Sequence, residues 1–404
     1  MTGDVEALFA RLEDDPDDDA AYLVLADALQ LAGDPRGELI QLSHDLAPGR
    51  GPDRDRLAHW SAGNRQRQLM SADRARILGG FDDDRTTLTY KLGFADTAIV
   101  RGDATAPTFA TLLRAPESRL LRTALLRLGE GDFLARDALA AVGPVPRALR
   151  RVALERQAHA RPLHDPSLPA FTHRRYAQWT APARGRRPER RPTLDDVSRV
   201  LDVFPHIREL LVDLGLTSLE WAPLRSTELR RFTWITPYAD PREVAPLAAS
   251  QLPALESFIL WVGARHVARD FRPDDSHTLT FDRALGPSDL APVFAMLDGC
   301  RDLRELGLCN IERDFGRIAS ALVQHRFLER IEALDVSACD LRDEANTLHA
   351  LLRELPRLAH ICIAGTTLPG AAVTALVARY AVVGEPVTQW QGTHERYRQI
   401  HEPW

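Results

Sequence analysis

The chain has 404 residues, of which 45% are hydrophobic and 27% charged, and its formal net charge is −6. These proportions are ordinary for a globular protein, and the charge is too small to indicate nucleic-acid binding by itself. No apolar run approaches the roughly 20 residues that span a bilayer, and the first residues lack the basic-then-apolar order of a signal peptide. We therefore expect a cytoplasmic protein without a membrane partner.

Residues 4 to about 46 carry the signals of three short helices. Apolar residues recur at helical spacing in the first two, and Gly33 indicates the end of the second. Asp34 and Pro35 then begin the third. The acidic run at 14–19 lacks the glycine and the distal glutamate of a calcium loop, so helix capping explains it better than a metal site.

The same block combines A-D-x-L at residues 26–29 with G-D-P-R-G-E at residues 33–38. It resembles the bacterial repeat-companion domain, a small helical module at the N-termini of bacterial repeat proteins, although Ala28 stands where that family usually carries Trp. The resemblance implies a repeat array downstream and implies no chemistry. Residues 92–99 likewise resemble the G-F-x-x-x-(I/V) strand that commonly opens such repeats.

Two copies of one short pattern begin at Ile331 and Leu358, and an apolar stripe with helical spacing separates them. Both copies fit L-x-x-L-x-L-x-x-(N/C/T)-x-L, which resembles the long leucine-rich repeat of ribonuclease-inhibitor-like proteins. That resemblance implies an α/β solenoid with a curved parallel sheet inside and helices outside, because each unit buries its apolar face only against its neighbours. Cys339 and Thr366, at the ninth positions, are expected to hydrogen-bond the backbone where the chain turns away from the strand.

The pattern predicts further strands at intervals of about 26 residues. Their starts fall near Thr123, Leu149, Ile207, Leu229, Leu255, Leu303, Ile331 and Leu358. Two intervals are about twice as long, so a degenerate unit is expected around 174–179 and another near 279–281. The predicted organisation is a helical module at 1–46, a linker and helix at 47–87, about nine to eleven repeat units over 88–380, and a C-terminal cap or tail at 381–404.

In such repeats, the third, fifth and seventh positions of each unit line the concave face of the sheet. Three neighbouring units supply an apolar patch edged by charges: Glu209, Leu211, Asp213, Arg231, Thr233, Ile235, Ser257, Ile259 and Trp261. A tryptophan with a nearby arginine is typical of a binding hot spot, so we expect Trp261 and Arg231 to anchor a protein partner. The alternative is that the segment inserted before Ile207 folds over this patch and makes it internal.

That inserted segment, residues 157–192, interleaves basic with aromatic residues. Its candidate contacts are Arg174, Arg175, Arg184, Arg186, Arg187, Arg190 and Arg191. This composition is compatible with a nucleic-acid backbone, whereas its many prolines favour a solvated loop. The sequence thus predicts a protein-interaction module acting as an adaptor, an inhibitor or a regulatory subunit, with nucleic-acid binding through this insertion as the alternative.

The sequence contains none of the catalytic motifs that we sought. Lys91 is the only lysine, which excludes a Walker-type phosphate loop, and neither G-x-S-x-G nor S-x-x-K occurs. The cysteines form no C-x-x-C pair, so buried thiols are expected at Cys300, Cys309, Cys339 and Cys362. We therefore expect a non-catalytic protein with no cofactor and no metal.

Overall fold

The computed structural model describes residues 2–46, 56–72, 86–102, 105–128, 145–156, 193–194, 197–213, 218–219, 221–236, 239–262, 285–311, 314–384 and 386. The chain divides into two compact units, Met1–Ala153 and Leu154–Trp404. Both units combine α-helices with β-strands. Within the described part of the chain, no helix has both the length and the apolar character that a bilayer crossing requires.

The first unit begins with four helices. They are α1 at Thr2–Asp14, α2 at Asp19–Leu31, α3 at Pro35–Leu46 and α4 at Arg56–Ala72. The Asp18 side chain accepts a hydrogen bond from the Ala21 N–H at 2.9 Å and so caps α2. Gly33, with a φ of +70°, follows the end of α2. The three helices predicted from the sequence, and the capping role of the acidic run, are confirmed.

A β-hairpin and two further strands complete this unit. The elements are β1 at Thr86–Lys91, β2 at Phe94–Gly102, α5 at Thr105–Arg114, β3 at Thr123–Leu128 and β4 at Arg151–Arg156, within which the unit boundary falls. β1 pairs with β2 antiparallel, and β2 pairs with β3 in parallel. Leu92 and Gly93 both have positive φ and form the hairpin turn, so the predicted opening strand begins at Phe94.

The helices and the hairpin share one apolar core. Its buried members include Phe9, Leu12, Tyr22, Leu25, Leu29, Ile40, Phe94 and Leu120. The Phe94 ring meets Phe9 edge-on with centroids 5.6 Å apart, and its centroid lies 6.2 Å from that of Tyr22. The Arg36 guanidinium lies over the same ring at 5.6 Å. Phe94 therefore joins the helical module to the first strands.

Asp17 contacts two cations of the first unit, Lys91 at the end of β1 and Arg122 just before β3. Its Oδ1 lies 2.7 Å from the Lys91 Nζ and 2.6 Å from an Arg122 guanidinium nitrogen. The hydrogen bond from Lys91 is the main reason why the pKa of the Asp17 carboxyl is lowered. The acidic run is thus engaged by the chain's own cations, and no three His, Cys, Asp or Glu side chains of the described residues are grouped so as to hold a metal ion.

The second unit alternates short strands with helices. Its helices are α6 at Arg199–Val203, α7 at Pro241–Ala248, α8 at Pro287–Asp298, α9 at Phe315–Leu322, α10 at Ala345–Arg353 and α11 at Gly370–Val377. Its strands are β5 at Thr193–Leu194, β6 at Glu209–Asp213, β7 at Ser218–Leu219, β8 at Arg231–Ile235, β9 at Ser257–Trp261, β10 at Glu305–Cys309, β11 at Ala333–Asp335, β12 at His360–Cys362 and β13 at Ala381–Val383. β5 pairs only with β7 among the described strands. The other seven form a parallel sheet in the order β6-β8-β9-β10-β11-β12-β13.

The predicted repeat positions pair with one another across this sheet. The third residues of six predicted units lie side by side in one row: Glu209, Arg231, Ser257, Glu305, Ala333 and His360. Each of the six strands begins at that third residue, so the strand positions predicted in this unit are confirmed. The degenerate units expected around 174–179 and near 279–281 lie outside the described residues, as does most of the predicted cap or tail.

The ninth residues of the last two predicted units make the expected backbone contacts. The Cys339 thiol donates to the Leu308 carbonyl at 3.2 Å and accepts from the Ile311 N–H at 3.4 Å. The Thr366 hydroxyl donates to the Ile363 carbonyl at 2.8 Å. These side chains satisfy backbone groups at the point where each strand ends, as the sequence predicts.

Alternate residues of the strands form the core of the second unit. They are Leu210, Val212, Phe232, Trp234, Phe258, Leu260, Leu306 and Leu308, and each is at most 4% exposed. Trp221 packs edge-on against Trp234 with ring centroids 4.8 Å apart. We call this side of the sheet the core face and the other side the opposite face.

Candidate binding site on the second unit

The opposite face carries three rows of side chains, because residues paired between parallel strands point to the same side. The first row is Glu209, Arg231, Ser257, Glu305, Ala333 and His360. The second row is Leu211, Thr233, Ile259, Gly307 and Asp335. In the third row Asp213 lies beside Ile235, and Trp261 lies beside Cys309. The residues predicted to line a concave face therefore lie together on one side of the sheet.

The apolar members of this set are buried. Leu211 is 7% exposed, Ile235 3%, and Ile259 and Trp261 6% each. Glu209 and Arg231, where β6 and β8 begin, are half-buried. The accessible part of the predicted site is therefore its charged edge and not its apolar patch.

Ile259 packs directly against a glycine of the next strand. A Cβ placed on Gly307 would lie 2.7 Å from the Ile259 Cγ2, so the Ile259 side chain fills the room that another side chain would need. This close packing between β9 and β10 helps to bury Ile259, which leaves little of that side chain for a partner to contact.

A pocket of about 270 Å³ opens where β8, β9 and β10 begin. Its lining residues are Arg231, Glu256, Ser257, Asp302, Arg304 and Glu305. Three of them belong to the first row of the opposite face, and the other three precede β9 and β10 in the chain. The pocket thus combines two guanidinium groups with three carboxyl groups.

Glu305 is the most buried charged residue of the pocket, with 7% exposure. Burial raises the pKa of its carboxyl, and Asp335 and Glu209 raise it further through their negative charge. A hydrogen bond from Ser257 and the charge of Arg231 act in the opposite direction. Among the contacts of the described residues, the Glu305 Oε1 atom has no hydrogen-bond partner.

The Arg231 guanidinium makes fewer polar contacts than the other cation of the pocket lining, Arg304. Within the described part of the chain the Arg231 guanidinium makes no hydrogen bond or ion pair. Two of the other charges are partly engaged, because Arg304 lies 3.5 Å from Glu332 and Glu256 lies 2.8 Å from the Arg230 guanidinium. Arg231 and Glu305 are therefore two lining residues that are partly or fully buried and have polar atoms without a hydrogen bond among the described contacts.

All four cysteines are buried thiols, as the sequence predicts. Burial raises the pKa of the Cys300 thiol to about 11 and that of the Cys309 thiol well above its ordinary value. A thiol with a raised pKa is a poor nucleophile at neutral pH. Cys300 and Cys309 are therefore packed thiols and not reactive ones.

The arginines proposed to contact nucleic acid lie outside the described residues. They are Arg174, Arg175, Arg184, Arg186, Arg187, Arg190 and Arg191. Nucleic-acid binding and the covering of the opposite face by this segment both stay predictions.

Sequence reasoning missed Glu305 as a site residue, although the repeat pattern contains the signal. Glu305 is the third residue of the unit that starts at Leu303, in register with Arg231 and Ser257. The same positional rule that selected Arg231 therefore selects Glu305. Asp302 and Arg304 precede their strand and follow no such rule.

No known protein-family profile matches this chain, and no curated protein matches its sequence. A crystal structure of a Bacteroides fragilis protein, solved as a structural-genomics target, is similar to it with a TM-score of 0.50 and 16% sequence identity. The match covers 81% of this chain and 85% of that chain. At this identity the likeness concerns the fold alone, and it fits a repeat architecture of strands and helices.

Proposed function

We propose that this protein is a leucine-rich-repeat solenoid that binds a protein partner through the opposite face of its second unit. In this proposal it acts as an adaptor, an inhibitor or a regulatory subunit and has no reaction of its own. Support comes from the row of equivalent residues across six strands and from the ninth-position hydrogen bonds of Cys339 and Thr366.

Arg231 is the observation that carries the binding proposal. Its guanidinium is half-buried and lines a pocket, yet within the described contacts it makes no hydrogen bond or ion pair. A guanidinium offers five donors in a planar fork, which makes arginine a frequent hot-spot residue at protein interfaces. A partner that uses these donors gains directional contacts without first breaking an internal ion pair.

The first prediction is that Arg231→Ala weakens partner binding. Affinity purification from the native host, with mass spectrometry, identifies the partner, and calorimetry then measures its dissociation constant for each variant. We expect Arg231→Ala to raise that constant about tenfold or more, since hot-spot truncation costs more than about 1.4 kcal/mol.

Arg353→Ala is the matched control, because Arg353 is an exposed arginine in the last turn of α10. It should leave the dissociation constant unchanged. Trp261→Ala serves as a second variant, read together with its thermal unfolding because Trp261 is buried. If the partner binds the Arg231→Ala variant as it binds the wild type, this face is not the binding surface.

A further inference from the structure

Glu305 is a buried acidic residue with an unsatisfied hydrogen-bond acceptor. Its side chain is 7% exposed and lines the pocket, and its Oε1 atom has no hydrogen-bond partner among the described residues. A buried polar atom without a partner costs free energy that a bound donor recovers. Ser257 lowers the pKa of this carboxyl as a hydrogen-bond donor, whereas the Oε1 oxygen remains to be satisfied.

The charges around Glu305 favour a cation as that donor. Asp335 and Glu209 on the same face both act on Glu305 as negative charges, whereas Arg231 is the positive group that acts on it. In the pocket lining, Arg304 is accompanied by Glu256 and Asp302, and Arg304 already lies near Glu332. The face formed by the described strands β6 to β11 therefore carries more carboxyl groups than guanidinium groups.

We propose that the pocket receives a basic side chain of the protein partner, an arginine or a lysine, with the Glu305 carboxylate as its counter-ion. The proposal rests on the proposed function, because it names the chemistry of the partner group at that site. Bound in this way, the guanidinium or ammonium group supplies the missing donor to Glu305. A multidentate donor such as arginine can contact Glu305 and Asp302 together.

The volume of the pocket is suited to a single side chain of a partner. At about 270 Å³ it is smaller than the roughly 300–1,000 Å³ of sites that enclose whole small molecules. An acidic partner group would reach Arg231 but would also approach the carboxyl groups of Glu305 and Glu209. Like-charge contacts of this kind disfavour binding, so the acidic group is the competing outcome of the test.

Blocked amino acids test the proposal with the full-length protein. N-acetyl-arginine amide carries one cation, N-acetyl-citrulline amide has nearly the same shape without the charge, and N-acetyl-glutamate amide carries an anion. Ligand-observed NMR titrations at low salt measure the affinity of each. We expect saturable binding of the arginine derivative below a dissociation constant on the order of 10 mM, with citrulline about tenfold weaker.

Glu305→Gln should weaken binding of the arginine derivative about tenfold, because the amide keeps the shape of the side chain and removes its charge. Glu354→Gln, an exposed glutamate just after α10, is the matched control and should bind like the wild type. Equal binding of arginine and citrulline, preferential binding of glutamate, no saturable binding, or an unchanged affinity in Glu305→Gln each overturns the proposal.

Acidification provides a second measurement. Glu305 faces Arg231, Glu209 and Asp335, and Glu256, Asp302 and Arg304 share its pocket. Protonation of Glu305 removes the counter-ion, so affinity for the arginine derivative should fall as the pH is lowered through the titration of this carboxyl. In Glu305→Gln this pH dependence should be markedly smaller; the same dependence in both proteins would assign it to the other carboxyl groups.

Partner binding separates failure of this inference from failure of the proposed function. If Arg231→Ala weakens partner binding and Glu305→Gln does not, the opposite face binds a protein but the proposal of a basic side chain in the pocket is wrong. If neither substitution changes partner binding, both proposals fall.

Discussion

At the scale of single residues, the Glu305 carboxyl that we propose as a binding group also lowers the stability of the unbound protein. Because burial raises the pKa of its carboxyl in the folded protein above the ordinary value of 4.5, the folded state favours the protonated form. The resulting penalty is absent below the unfolded pKa, grows as the pH rises from the unfolded towards the folded pKa, and is fully present above the folded pKa. At neutral pH an ionised Glu305 therefore destabilises the unbound protein.

Glu305→Gln should accordingly stabilise the second unit at pH 7. We expect the free energy of unfolding to rise by up to about 1 kcal/mol, the lower end of the cost of an unsatisfied buried group. Thermal unfolding measured at pH 7 and at pH 4 checks this, and the gain should shrink at the lower pH. A loss of stability at pH 7 would mean that the attraction to Arg231 outweighs the cost of burial.

The charged edge of the site was partly predictable from residue positions. The repeat rule placed Arg231 and Glu209 correctly on one face, and it places Glu305 there when applied to one more unit. The burial of Ile259 was not predictable in this way. It depends on Gly307 in the neighbouring strand: the repeat register pairs the two residues, but it does not show that the Ile259 side chain fills the space beside the glycine.

At the scale of elements, Gly37 shows why the third helix begins with a glycine in its first turn. A Cβ on Gly37 would lie 2.5 Å from the Ala26 carbonyl oxygen and 2.7 Å from the Gln30 nitrogen, so α3 approaches α2 too closely for a side chain. The roles of Gly33 and Pro35 at helix ends were predictable from the local sequence. The close contact between α2 and α3 at Gly37 was not.

Gly37→Ala should therefore destabilise the first unit by about 1–3 kcal/mol, the usual cost of forcing an atom into a packed contact. Gly63→Ala in α4 is the matched control, because nothing lies within 4 Å of its added Cβ. That substitution should stabilise the helix by about 0.5–1 kcal/mol. Chemical denaturation followed by circular dichroism compares them, and equal effects of the two substitutions would contradict the close contact.

At the scale of the whole molecule, the sequence predicted the kinds of element and most strand positions, but not which residues share a core. The predicted organisation treats residues 1–46 as a module, and in the first unit this module shares its core with β2 through Phe94. Ion pairs also join the module to segments outside β2, for example Lys91 of β1 with Asp17 and Arg119 with Glu6. Contacts between residues so far apart leave no trace in local periodicity.

Phe94→Ala tests this shared core. It removes a 2% exposed ring that contacts Phe9 and Tyr22, and such truncations cost about 3–5 kcal/mol. Hydrogen exchange of α1, α2 and β2 should become faster. Val377→Ala, which shortens a side chain that is 61% exposed, is the control and should change stability by less than about 0.5 kcal/mol. Unchanged exchange in α1 and α2 after Phe94→Ala would show that the module folds without the strand.

The pairing of Lys91 with Asp17 has a practical consequence, since Lys91 is the only lysine of the chain. Its ammonium group is the single side-chain amine, so reagents that acylate amines have one side-chain target besides the α-amino group, and it lies on the hairpin of the first unit. A dye or a surface tether can thus be installed there while the arginines and carboxyl groups around Glu305 keep their chemistry. Because such acylation neutralises Lys91, the same conjugation also removes one of the two cations that hold Asp17.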